Sequence, residues 1–222
     1  MKNVPDRFRI ATLLMALALG WFALATIFAE ALTPKTQRFS QDPAIPDSIS
    51  YDRLAGFAAA GAPLRGDLLA DIAMARAAPA LKPDKAAVSP ETIATRERAI
   101  ATARQSLSFS PHSSSMWLLM AMLQSQGQAR KSSAEALKMS YLTSPADVNL
   151  IPTRLGIVST SGPISDDELK SLARGDIRLI LTRRPDLKPA ITSAYRRGSP
   201  DGRAFINEVL QSIDPALAAS LR

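Results

Sequence analysis

The chain has 222 residues, a net charge of +7, 46% hydrophobic residues and only 5% aromatics. That is room for one ordinary domain beside an anchor segment, in a composition that favours helix over sheet. With no Cys and a single His, disulfides, thiolate nucleophiles, iron–sulfur clusters and zinc sites built on Cys or several His are excluded.

From the N-terminus, Lys2, Arg7 and Arg9 precede a run from Ile10 to Ala29 that carries no charge. At about 1.5 Å per residue such a run spans roughly 30 Å, the thickness of a bilayer's hydrocarbon core. The pattern predicts a single transmembrane anchor over 10–29. The basic residues ahead of it keep 1–9 in the cytoplasm and send the rest of the chain into the periplasm of a bacterial-type inner membrane. Ala29-Glu30-Ala31 also has the small-x-small form of a signal-peptidase site, so cleavage after Ala31 is the competing reading. The apolar run is longer than an ordinary signal-peptide core, which favours a retained anchor. The absence of Cys fits an oxidising compartment.

Residues 30–50, rich in polar residues and with prolines at 34, 43 and 46, predict an extended linker. The body, 51–222, reads as all-α. A short helix is expected over 51–60, broken by Gly61-Ala62-Pro63, and a second over about 64–78, with Leu64, Leu68, Leu69, Ile72 and Ala75 at helical spacing and Pro79 and the Lys82-Pro83-Asp84 stretch as its stop. Ser89-Pro90-Glu91 is a helix start in which Ser caps, Pro occupies the first turn and Glu meets the positive end of the dipole. That helix runs to about Phe109 before Ser110-Pro111. Another begins near Ser113 and ends at Gln126-Gly127, and a third covers about 129–143 before Ser144-Pro145. Further on, Ser165-Asp166-Asp167-Glu168 reads as a capping box opening a helix over 166–184. Helices near 188–197 and 200–213 follow, and Asp214-Pro215 leads into a short Ala-Leu tail.

Pro111 and Pro145 stand 34 residues apart with Trp117 six after the first, a period and phase that resemble a tetratricopeptide repeat. On that pattern Trp117 matches the first-helix aromatic, Met120 the leucine, Ala121 the small residue where paired helices approach, Leu137 the large second-helix residue and Pro145 the terminal proline. Ala99, Ala103 and Pro111 match the second helix of a preceding unit, and Ile151, Leu155 and Gly162 a degenerate following one. The sequence departs from the family where Gln124 replaces an aromatic, where Gly127 comes one position early, and where Ser106, Ser133 and Ser140 replace Ala. The resemblance covers about 90–162, one full unit and two partial ones, and implies helical-hairpin packing that presents surfaces to protein partners.

Chemistry-bearing patterns are sparse. His112 lies beside Ser113, Ser114 and Ser115 without a local carboxylate or oxyanion hole and reads as a turn residue. Asp166, Asp167 and Glu168 are accounted for by capping rather than by a cation. No phosphate loop, metal-ligand spacing or nucleophile elbow occurs, so the chain is expected to be non-catalytic and without cofactor or metal. Candidate partner-binding residues fall into two groups. Trp117, Met120 and Gln124 lie on one Met-rich helix. Arg183, Arg184, Arg196 and Arg197 belong to the 170–222 stretch, which holds ten basic and five acidic residues. The leading expectation is a membrane-anchored scaffold or assembly protein for other inner-membrane or envelope proteins. The basic C-terminal helices and repeat-like centre resemble small membrane proteins of surface-polysaccharide production. The alternative is binding of an acidic polysaccharide or anionic lipid by the C-terminal arginines. Nucleic acid is not an expected partner of an exported domain.

Overall fold

The computed structural model describes residues 6–32, 66–81, 89–126, 130–160 and 162–221, and among these every regular element is helical. The linker over 33–50 and the helix expected over 51–60 lie outside the described residues. Helix α1 (Asp6–Leu32) contains the stretch Phe8–Phe28, with mean hydropathy 2.2 and none of it buried inside the molecule. Trp21, halfway along, is 77% exposed. A helix that is apolar all round, with none of its apolar stretch buried by the described residues, is long and apolar enough to cross a membrane.

The body begins with a hairpin of α2 (Gly66–Leu81) and α3 (Pro90–Phe109). Both helices bury small residues, Ala70, Ala73 and Ala77 on one and Ala99 and Ala103 on the other. Two polar ties cross the pair: Ser106 Oγ donates to the Gly66 carbonyl at 2.8 Å, and Arg76 Nη1 to Thr102 Oγ1 at 2.7 Å. The start of α3 is as its sequence dictates, since the Ser89 hydroxyl accepts from the Thr92 N–H at 3.2 Å and Pro90 fills the first turn.

A second hairpin follows, α4 (Ser114–Ser125) against α5 (Arg130–Thr143). Met116, Leu118, Leu119, Ala121, Leu123 and Leu137 are buried in it. Ser133, fully buried, donates to the Ala121 carbonyl at 2.9 Å. The described residues from Gly66 to Thr143 therefore fold as two packed helical hairpins.

Helix α6 (Ile151–Thr160) is the centre of the remaining half. It contacts α4 and also α7 (Asp167–Arg183), α8 (Lys188–Arg197) and α9 (Pro200–Ile213). Its C-terminal end docks on the start of α9: the Ser159 carbonyl accepts from the Ser199 N–H at 2.8 Å and from the Ser199 hydroxyl at 3.1 Å. The contact is close enough that only glycine fits opposite, because a Cβ on Gly202 would stand 2.0 Å from the Ser159 oxygen.

Three details differ from the sequence expectation. α2 runs through Pro79 and ends at Leu81, directly before Lys82-Pro83-Asp84, the other expected stop. Only the last turn lies beyond Pro79, so one helical hydrogen bond is lost, while Ala77 and Ala80 on either side are buried at 0% and 4% exposure. Ser165 is not the cap of α7; it closes a 3-10 turn over Gly162–Ser165, and Asp166 caps instead. Asp166 Oδ1 accepts from the Glu168 and Leu169 N–H groups at 3.0 and 3.2 Å. Its other oxygen is held by Lys138 of α5 at 2.8 Å, a contact a serine could not make at the same time. The Ala-Leu tail is a further helix, α10 (Pro215–Ser220), capped by Asp214 accepting from Leu217 N–H at 3.0 Å and anchored through buried Ala218.

Candidate functional site

The first sequence-predicted group does not form an open surface. Met120 and Gln124 are 4% and 8% exposed, facing the core of the α4–α5 hairpin. Trp117 is half-buried, and its indole Nε1 donates to the Pro111 carbonyl at 2.7 Å, closing the turn ahead of its own helix. Burial of these positions is what hairpin packing requires of an apolar helix face, and it removes Met120 and Gln124 from reach of a partner.

The polar turn residues likewise have structural work. His112 is exposed in the turn between α3 and α4. Asp166 and Glu168 share Lys138, at 2.8 and 2.9 Å. The bond from Lys138 is the main reason the Asp166 carboxyl is held below its usual range, and the two carboxylates raise the ammonium in turn. Among the described residues no group of three or more His, Cys, Asp or Glu side chains converges on a point where a metal could sit.

A charged cluster that the sequence reading did not single out lies in the core. Arg154 of α6 has no exposure, and it meets Tyr141 of α5 (2%) and Asp176 of α7 (3%). The guanidinium lies 4.6 Å from the Tyr141 ring centre. Its Nε donates to the Ser140 hydroxyl at 3.1 Å, and Nη2 donates to the carbonyls of Ser140 and, at 3.0 Å, Ser144. Those carbonyls belong to the end of α5, where backbone oxygens lose their helical partners and the dipole is negative, so Arg154 is a buried C-terminal cap. Asp176 is nearby but does not complete the pair: Arg154 Nη1, Asp176 Oδ2 and the Tyr141 hydroxyl make no hydrogen bond. Burial therefore prevails over the neighbouring positive charge and pushes the Asp176 carboxyl up to about 7. Tyr141 is raised and Arg154 lowered, both chiefly by burial. Enclosed on all sides, the cluster offers substrate no approach, and its chemistry is that of a polar joint between α5, α6 and α7.

The second predicted group is on the surface, and its members differ. Arg183 ends α7 and is exposed. Arg184, the C-cap, is engaged in a two-pronged pair with Asp186, at 2.9 and 2.7 Å. The pair holds Asp186 below the usual carboxylate range and raises Arg184. Arg196 and Arg197 occupy the last turn of α8, exposed and without an ion pair among the described residues. With Lys188, Pro189, Thr192 and Ser193 they line an open recess of about 540 Å³. The recess faces away from Ile191 and Ala194, which bury α8 against the body. No protein-family model, curated protein or solved structure matches the chain.

Proposed function

We propose that the protein is a non-catalytic interaction protein anchored in a bacterial inner membrane by α1, with its N-terminus in the cytoplasm and its helical body in the periplasm. The observation that carries the reading is α1 itself, a 21-residue apolar stretch left unburied among the described residues, whereas the helices of the body bury their apolar faces. The basic residues before it, Lys2, Arg7 and Arg9, outnumber the two that follow, Lys35 and Arg38, and favour that orientation. The packed helical hairpins, whose sequence over about 90–162 resembles one full and two partial tetratricopeptide units, supply rigid helix surfaces of the kind that hold partner proteins. Other inner-membrane or envelope proteins are the partners proposed, in cell-surface polysaccharide production. Burial of Met120 and Gln124 moves the partner surface away from that face and onto the exposed helix backs.

Affinity purification of the full-length protein from detergent-solubilised membranes, with mass spectrometry, tests this. A stoichiometric envelope partner is the expected result. Recovery of the pure, folded protein alone, or its release from membranes by alkaline carbonate, would sink the reading. The second reading, binding of an acidic polysaccharide or anionic lipid by the basic C-terminal helices, is favoured by the ion-pair-free arginines of α8.

A further inference from the structure

Helix α8 differs from its neighbours in charge. It carries Lys188, Arg196 and Arg197 and no acidic residue. Elsewhere on this half of the body several basic side chains are neutralised locally, Lys138 by Asp166 and Glu168, Lys170 by Asp167, Arg174 by Glu208 and Arg184 by Asp186, while Arg178 and Arg183 of α7 are exposed like the arginines of α8. Lys188 is shared with Asp214 at 3.2 Å, whereas Arg196 and Arg197 have no carboxylate partner among the described residues. Arg203 is drawn to the same corner, because its Nη1 donates to the Gly198 carbonyl at 3.0 Å, and Asp201 at the start of α9 is the acid nearest in sequence. Two hydroxyls, Thr192 and Ser193, lie between the cations on the recess wall. The opposite face is locked by Ile191 and Ala194, so the cations are presented on a rigid helix.

We propose that this face of α8 docks the body onto the surface of an anionic bilayer, Arg196 and Arg197 taking the phosphates of acidic phospholipid headgroups with Lys188 beside them. The inference rests on α1 being a membrane anchor. Charge complementarity selects the occupant, and the anchor supplies it at high effective concentration, since a tethered surface meets the same bilayer without a second diffusional encounter. The reach is sufficient. Residues 33–65, at no more than about 3.5 Å each, extend at most about 115 Å, whereas a body of this size has a radius of gyration of about 15 Å. Chain length alone therefore does not prevent the α8 face from meeting the bilayer, and its charge favours that orientation. Each basic residue near an acidic leaflet contributes about fivefold to partitioning, so the two arginines favour the docked orientation about 25-fold.

The test uses the full chain, which lacks Cys, with Ser193→Cys carrying a nitroxide. It is reconstituted in nanodiscs of phosphatidylcholine alone or with one third phosphatidylglycerol. Accessibility of the label to a neutral aqueous nickel chelate is read at 50 and 500 mM NaCl. The expected result is protection in acidic discs at low salt, lost at high salt and absent from zwitterionic discs. Arg196→Ala with Arg197→Ala should abolish it, while the Lys pair, which keeps the charge, should retain most of it; circular dichroism verifies that each variant is folded. Equal accessibility in both disc types, or protection unaffected by 500 mM NaCl, overturns the proposal. So does protection that appears in zwitterionic discs only when an acidic polysaccharide such as alginate is added. Failure of the anchor reading gives a different outcome, protein eluting apart from the discs, and overturns both inferences together.

Discussion

Asp176 gives the sharpest test of the energetics. Its folded-state pKa of about 7 exceeds the unfolded value of about 3.9. Raised in the folded state, the group favours the native protein only while protonated. Its contribution is full below the unfolded pKa, declines from about pH 4 upward and is gone once pH passes the folded value. At 1.36 kcal/mol per pH unit the whole effect is about 4 kcal/mol, and the part lost between pH 5 and pH 8 is about 2.5 kcal/mol. Asp176→Asn keeps the shape and removes the titration, so its stability should lack this decline. Urea unfolding of the full chain in detergent micelles reports the difference, with Trp117 as sole tryptophan, excited selectively, in a Trp21→Phe background. With a slope near 2 kcal/mol per M, the wild-type midpoint should fall by about 1.3 M relative to the variant between pH 5 and pH 8. Parallel midpoints for the two proteins across that range would show that Arg154 neutralises Asp176 fully, and would refute the account of the cluster.

Gly202→Ala should cost about 3 kcal/mol or more, since the added carbon meets backbone of Ser159 and α9 must move away from α6. Gly175→Ala, in the exposed interior of α7 with nothing within 4 Å, should instead gain about 1 kcal/mol in the same urea assay. Asp166→Ala removes the cap of α7 and should lower stability by about 1 kcal/mol, measurable as a midpoint shift with unchanged slope. Ser133→Ala should cost a similar amount, about 1 kcal/mol, because the hydroxyl that meets Ala121 across the α4–α5 hairpin is lost.

Helix ends were readable wherever a local device set them. Ser89-Pro90 and Ser199-Pro200 cap and pre-shape a first turn whatever surrounds them, and both helices start there. Pro79 misled because a proline's cost is local and fixed, whereas the burial that offsets it is tertiary. The Arg154–Asp176 cluster left a signal that was passed over. Arg154 interrupts the stripe Ile151, Leu155, Val158, and Asp176 interrupts Leu169, Ala173, Ile177, Ile180, each a charge at a core-facing position of its helix. Two such interruptions of opposite sign in consecutive helices are what a buried joint looks like in one dimension. The departures from the repeat pattern carried information as well. Ser106, Ser133 and Ser140, all without exposure, each bond a neighbouring helix, so serine there adds a tie that alanine could not. The Met-rich helix was ambiguous for a simple reason: an apolar stripe has the same period whether it faces a core or a partner. The cations of α8 were visible as residues, but only the fold separates Arg196 and Arg197 from Arg184, whose acid stands two positions along the chain.

The cap that Arg154 places on α5 also limits how this architecture can grow. Helical-hairpin arrays lengthen by copying a unit, because each unit needs only its neighbour's surface. Here a tandem copy of the α4–α5 hairpin would bury a second set of Ser140 and Ser144 carbonyls with no guanidinium to meet them. The array is thus closed on its C-terminal side by a lock specific to one pair of helices.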